Sequence, residues 1–262
     1  MIKTLYRLFI FLLTNTREAY VCIEKNEKAF AASAVLFAAC ILLESAFMFF
    51  LPQGYMPGAE KITQPFHLFL LIQCGTEIII TALTLLFVFI FGSIARKKPG
   101  LTFLFFVLAA LLVPLMAVVS FQNNTPASTG LLFAILALVF GGMVQFAGDR
   151  SIPVKRILAV LMLSNAFTIP LIPCQALAAL TGSAVATQAV LFVFSLLMIR
   201  FIILGSAYFL RVSTAKSAAV LIAGFMGAFV IFLAFAKTGA IPGLDPGEVL
   251  ASPTENAGKA NK

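Results

Sequence analysis

One stretch, LLFVFIFGSIARKKPGLTFLFFVLAALLVPLMAV from Leu85 to Val118, limits what this chain can fold into more than any other. An apolar run ends at Gly92, and a basic turn follows with Arg96, Lys97, Lys98, Pro99 and Gly100. A second apolar run then carries a proline, Pro114, in its interior. About 20 apolar residues cross the hydrocarbon core of a bilayer, and short loops rich in Lys and Arg stay on the cytoplasmic side. The stretch therefore reads as a transmembrane hairpin with its turn inside.

The rest of the chain agrees. Of 262 residues, 61% are hydrophobic and 11% charged, where a soluble domain carries roughly a quarter charged. The formal net charge of +8 would point to nucleic acid in a soluble protein. Here Lys and Arg are gathered at the N-terminus and in certain short loops, so they set orientation and meet anionic lipid, and no nucleic-acid partner is expected.

In order, the sequence predicts an all-α, polytopic membrane protein. Residues 1–28 form a cytoplasmic, interfacial segment. MIKTLYRLFIFLL is broken by Lys3 and Arg7, too short to span, and suited to lying in the interface. Asn15, with Glu18 three residues on, resembles a helix N-cap, and a short amphipathic helix should run to about Lys28 with Glu24 and Lys28 paired. The bundle, 29–236, holds seven spans at about 29–51, 66–92, 101–121, 131–147, 157–176, 190–210 and 217–236. The tail, 237–262, is rich in Pro, Gly and Ala and reads as disordered. The basic segments (the N-terminus, 96–98, 150–156 and 211–216) alternate with the nearly neutral ones (52–65, 122–130, 175–189 and the tail). That alternation places the N-terminus inside and the C-terminus outside. The hairpin has an echo from Phe146, with a glycine at the span end, a basic turn containing proline and a Pro-Leu in the next run. It is either a parallel internal repeat or the shared composition of membrane segments.

Ionisable groups at membrane depth are where function is sought first. Glu44 in span one, Glu77 in span two and Arg200 in span six qualify, and Asn165 adds an amide in span five. The two glutamates fall at similar depth on adjacent antiparallel spans. Arg200 either reaches them across the bundle or extends to the inner surface. Pro114, Pro170 and Pro173 each free a backbone carbonyl one turn earlier, which makes span five the least regular helix. Ala219, Ala223 and Gly227 form a stripe of small residues suited to close helix packing, within the fold or with a partner.

Other chemistry is missing from the sequence. Cys22, Cys40, Cys74 and Cys174 show no CxxC spacing, and His67 stands alone. No Walker A loop, GxSxG, HExxH or pair of facing aspartates occurs. No catalytic residue, metal or cofactor is expected.

Leu12 to Ser33 contains Asn15-Thr16-Arg17-Glu18-Ala19, and this lead-in resembles that of bacterial Yip-family proteins, although the proline often found there is absent. Gly92, the basic turn and Pro114 are similar to that family's central segment, so the resemblance covers about residues 9–172. It implies an integral membrane protein. Eukaryotic members bind Rab GTPases in vesicle traffic, and no catalytic residue carries over. Yip-family members usually have five spans, so spans six and seven have no counterpart in that plan. The leading expectation is a non-enzymatic, Yip-like scaffold or accessory subunit in a cell membrane of the bacterial inner-membrane type, with lipids and other membrane subunits as partners. The alternative is a transporter or lipid-handling protein using Glu44, Glu77, Arg200 and the proline-broken fifth span.

Overall fold

The computed structural model describes residues 1–50, 65–97, 153–181 and 183–237. The third and fourth expected spans, Pro114, the loop residues 98–100, the first part of the echo (146–152) and the tail beyond Lys237 lie outside the described residues. Among the described residues all regular structure is helical: α1 (Ile2–Thr14), α2 (Thr16–Lys25), α3 (Ala29–Phe50), α4 (Phe66–Lys97), α5 (Val154–Ser164), a 3-10 turn (Asn165–Phe167), α6 (Thr168–Leu180), α7 (Ala184–Leu210) and α8 (Thr214–Lys237). Four helical stretches are long and apolar enough to cross a membrane: Ala29–Phe50, Phe66–Ser93, the α5–α6 column Val154–Leu180, and Val185–Leu210. In α8 the apolar stretch Thr214–Ala228 is shorter than those four.

The N-terminal segment is two helices rather than one. In α1 the buried residues are Thr4, Leu8 and Leu12, one face at four-residue steps. Asn15 breaks the helix with an extended backbone (φ −150°, ψ 89°), and its side chain makes no capping bond. Its carbonyl instead accepts the Glu18 and Ala19 N–H groups. Asn15 thus stands at the expected N-cap position of α2, without a side-chain capping bond. α2 also stops earlier than expected, at Lys25. Asn26 leaves the helical region (φ −110°, ψ 112°). Its Nδ2 donates to Thr4 Oγ1 at 3.1 Å, and its Oδ1 accepts the Lys28 N–H at 3.0 Å. Such a side-chain turn competes with helix continuation. Lys28 thus sits beyond the helix end, and the expected Glu24–Lys28 pair is replaced by one between Glu24 and Arg156 of α5.

The column α5–α6 is the most buried of the four apolar stretches, packed against α3, α4 and α7. Its irregularity has a simple cause. Pro170 has no N–H for the Ala166 carbonyl, one turn back, so the ladder tightens into the 3-10 turn just there. Thr168 N–H reaches the Asn165 and Ala166 carbonyls instead. Pro173 lies inside α6 without ending it. The column extends at both ends beyond the expected 157–176. The link to α7 is short, and Ser183 Oγ caps that helix by accepting the Ala186 N–H at 3.3 Å. α4 likewise continues past Gly92, carrying Arg96 as helix rather than turn.

The most extensive helix pair is α4 with α8. A methyl group on Gly227 would lie 2.7 Å from Phe87 Cε1 and Cζ, and Ala223 and Ala228 are buried beside it. The small residues of α8 are therefore used inside the fold, to let the backbone of α8 approach Phe87. Ala219, the first of the expected stripe, is only partly buried, while Gly224, which faces Val88, belongs to the contact.

Candidate functional site: an acidic cavity inside the bundle

A cavity of about 270 Å³ lies between α3, α4, the α5–α6 column, α7 and α8, and both Glu44 and Glu77 line it. Helix geometry explains the placement. Glu44 is fifteen residues along α3 from Ala29, about 22 Å at 1.5 Å per residue. Glu77 stands on α4 with Thr81 and Thr84 at steps of four and three, so all three share one helical face. From the column, Ser164, Asn165 and Thr168 enter at the 3-10 turn, where Pro170 has disturbed the helix. Phe167, Phe194 and Phe225 supply apolar walls.

Three of the four sequence-derived polar candidates, Glu44, Glu77 and Asn165, are thus brought to one space, and the two carboxyl groups lie close enough to interact electrostatically. Arg200 is not among them. It stands exposed on α7 and acts instead on the phenol of Tyr20 in α2. Among the described lining residues there is no Lys, Arg or His. Both carboxyl groups are half-buried at membrane depth, where an ionised carboxylate is costly without a counter-charge. The described part of the cavity supplies none.

Thr84 strengthens the case for a ligand. It is 1% exposed, and its Oγ1 has no hydrogen-bond partner. A buried hydroxyl left unpaired costs roughly 1–3 kcal/mol, and this one borders the cavity. Ser164, by contrast, is satisfied by the Leu161 carbonyl at 2.7 Å. Sequence reasoning passed over Thr81, Thr84 and Thr168, because a threonine in an apolar helix usually bonds its own backbone. The signal that finds Thr81 and Thr84 is their register with Glu77 on α4. Pro170 marks the other wall, by placing the turn that presents Asn165. Among the described residues no three His, Cys, Asp or Glu side chains converge as a metal site.

A second group of contacts ties α2 to the bundle. Tyr20 is buried and donates its hydroxyl to the Phe201 carbonyl of α7 at 2.7 Å. Burial pushes its phenol well above the ordinary tyrosine value, so it remains a donor across the working pH range. Glu24 accepts from Tyr208 Oη at 2.5 Å and pairs with Arg156 at 3.7 Å. Arg156 also donates to the Glu24 carbonyl at 3.2 Å. This junction joins α2, α5 and α7, and nothing in the sequence pattern announced it.

No protein-family model matches the chain, and neither the curated proteins nor the solved structures contain a match.

Proposed function

We propose that the protein is a multi-pass membrane transporter for a small cationic or protonatable solute, held between Glu44 and Glu77. The observation that carries this reading is the shared cavity: two carboxyl groups, an unpartnered Thr84 hydroxyl and the Asn165 amide, with no described cation to neutralise them. Its volume, about 270 Å³, is near the lower end of the roughly 300–1,000 Å³ usual for ligand pockets, which suits a small ammonium ion rather than a large drug-like molecule. Aromatic walls suit an organic cation. The disturbed helix at Asn165–Phe167 follows the habit of transporters, which place irregular backbone where it lines a cavity. The Yip-like scaffold has less support, because the small-residue stripe that would face a partner is occupied by α4.

The test is uptake into proteoliposomes under an imposed pH gradient, with radiolabelled choline, putrescine and sodium as the panel. Uptake above that of empty vesicles is expected for at least one cation, with Glu44→Gln and Glu77→Gln each lowering it about tenfold or more. Arg200→Gln should leave it within about twofold. If the wild-type protein moves none of the panel, or if both glutamine variants transport normally, the reading fails.

A further inference from the structure

At the other end of α3 lies a larger cavity, about 490 Å³, formed where the end of α2, the Asn26–Lys28 turn and the starts of α3 and α5 meet. Its charged lining is Lys25, Lys155, Arg156, Glu24 and Glu27. Not all of these are available. Arg156 and Glu24 are engaged with each other, and Glu24 also holds Tyr208. That leaves two exposed ammonium groups, Lys25 and Lys155, and one exposed carboxylate, Glu27. The Lys155 ammonium sits 5.8 Å from the centre of the Phe30 ring, which forms an apolar floor. Because apolar spans begin at Ala29 and Val154, this space lies at the level of lipid headgroups.

We infer that this pocket binds the headgroup of a membrane glycerophospholipid, its phosphodiester between Lys25 and Lys155 and a hydrogen-bond-donating terminus, hydroxyl or ammonium, on Glu27. Two cations held by separate helices line this one pocket, and a phosphodiester can accept from both. The nearby carboxylate disfavours a bare dianion and favours a headgroup that can donate to it. Phe30 and Ile23 also line the pocket and suit the first carbons of the acyl chains. The pocket is separate from the Glu44/Glu77 cavity, and it stands whether or not that cavity transports anything.

The experiment is native mass spectrometry of the full-length protein, released from nanodiscs of equimolar phosphatidylglycerol, phosphatidylethanolamine and phosphatidylcholine. Retained adducts should favour the first two lipids over phosphatidylcholine by about fivefold or more, since the choline terminus cannot donate a hydrogen bond. Lys25→Ala combined with Lys155→Ala should reduce retention about tenfold, and Lys216→Ala, which removes an exposed lysine elsewhere, should not. Equal retention of phosphatidylcholine by the wild-type protein overturns the assignment without any variant. So does an equal loss in Lys216→Ala, which would mean unspecific surface charge. Displacement by inorganic phosphate at the concentration of the lipid would mean that the source is free phosphate, and would also overturn it.

Discussion

At the scale of single residues, two glycines in the apolar helices should respond in opposite ways to the same change. Gly227→Ala places a methyl group 2.7 Å from two Phe87 ring carbons, and Phe87 is fully buried, so the ring has nowhere to retreat. Overpacking of this kind costs about 1–3 kcal/mol. Gly75→Ala meets nothing within 4 Å, and removing a mid-helix glycine should stabilise by about 0.4–1 kcal/mol. Thermal unfolding in one detergent should therefore show the first variant below the wild type and the second at or above it. A second prediction concerns Cys22. Burial pushes its thiol up, with Arg7 opposing in part, so at pH 8 less of it is thiolate than in a model thiol. In a variant lacking Cys40, Cys74 and Cys174, alkylation should lag a model thiol at pH 8 and close the gap as pH rises. A rate equal to that of the model thiol at pH 8 would count against it. At this scale the sequence displayed Glu44, Glu77 and Asn165 plainly, because charge and amide stand out in an apolar run. Thr84 was hidden, because its role depends on which way the helix face turns.

At the scale of elements, the N-terminal helices are held by packing more than by charge. The Glu24–Arg156 pair has both side chains a third or more exposed, and such pairs contribute about 0–1 kcal/mol. Tyr20, Ala19 and Ile23 are buried, and losing the Tyr20 hydroxyl removes a buried hydrogen bond to the Phe201 carbonyl, at a cost of about 0.5–1.5 kcal/mol. Tyr20→Phe should therefore speed tryptic cleavage at Arg17 and Lys25 more than Glu24→Gln does, with cleavage followed on the folded protein. The reverse order would mean that charge dominates. The sequence showed an amphipathic lead-in here but misjudged its end, since the Asn26 turn depends on Thr4, which lies in a different helix. The α6–α7 link shows the same weakness. Its neighbourhood is uncharged and semi-apolar, so hydropathy left a loop over 175–189 where the structure continues the helix to Leu180 and starts the next at Ala184.

At the scale of the whole molecule, the alternation of basic and neutral segments is a statement about sidedness that the helices alone do not carry. If the chain crosses seven times, as the alternation predicts, positions 216 and 256 would face opposite sides of the membrane. Single cysteines at these sites, in a cysteine-free background, should differ in labelling by an impermeant maleimide added to intact cells, with 256 reacting and 216 protected. Equal behaviour would require an even number of crossings between them. The apolar core of this architecture was legible because four helical stretches are long, apolar and almost free of charge. What periodicity could not supply was which helices touch. α4 and α8 are far apart in sequence, and the contact between them rests on the shape of Phe87 against Gly227 rather than on any pattern of hydropathy.

The junction at Glu24 has a mechanical meaning. By joining α2 to both α5 and α7, it fastens one end of the bundle and makes that end a fulcrum. Helices rocking about it move least near Ala29 and most toward Phe50. With a lever arm of about 22 Å from Ala29 to Glu44, a tilt of about 10° carries that carboxyl through about 4 Å, more than the diameter of a water molecule. A small rotation about the fastened end therefore displaces the Glu44 carboxyl far more than the start of α3, and the end near Phe50 farther still.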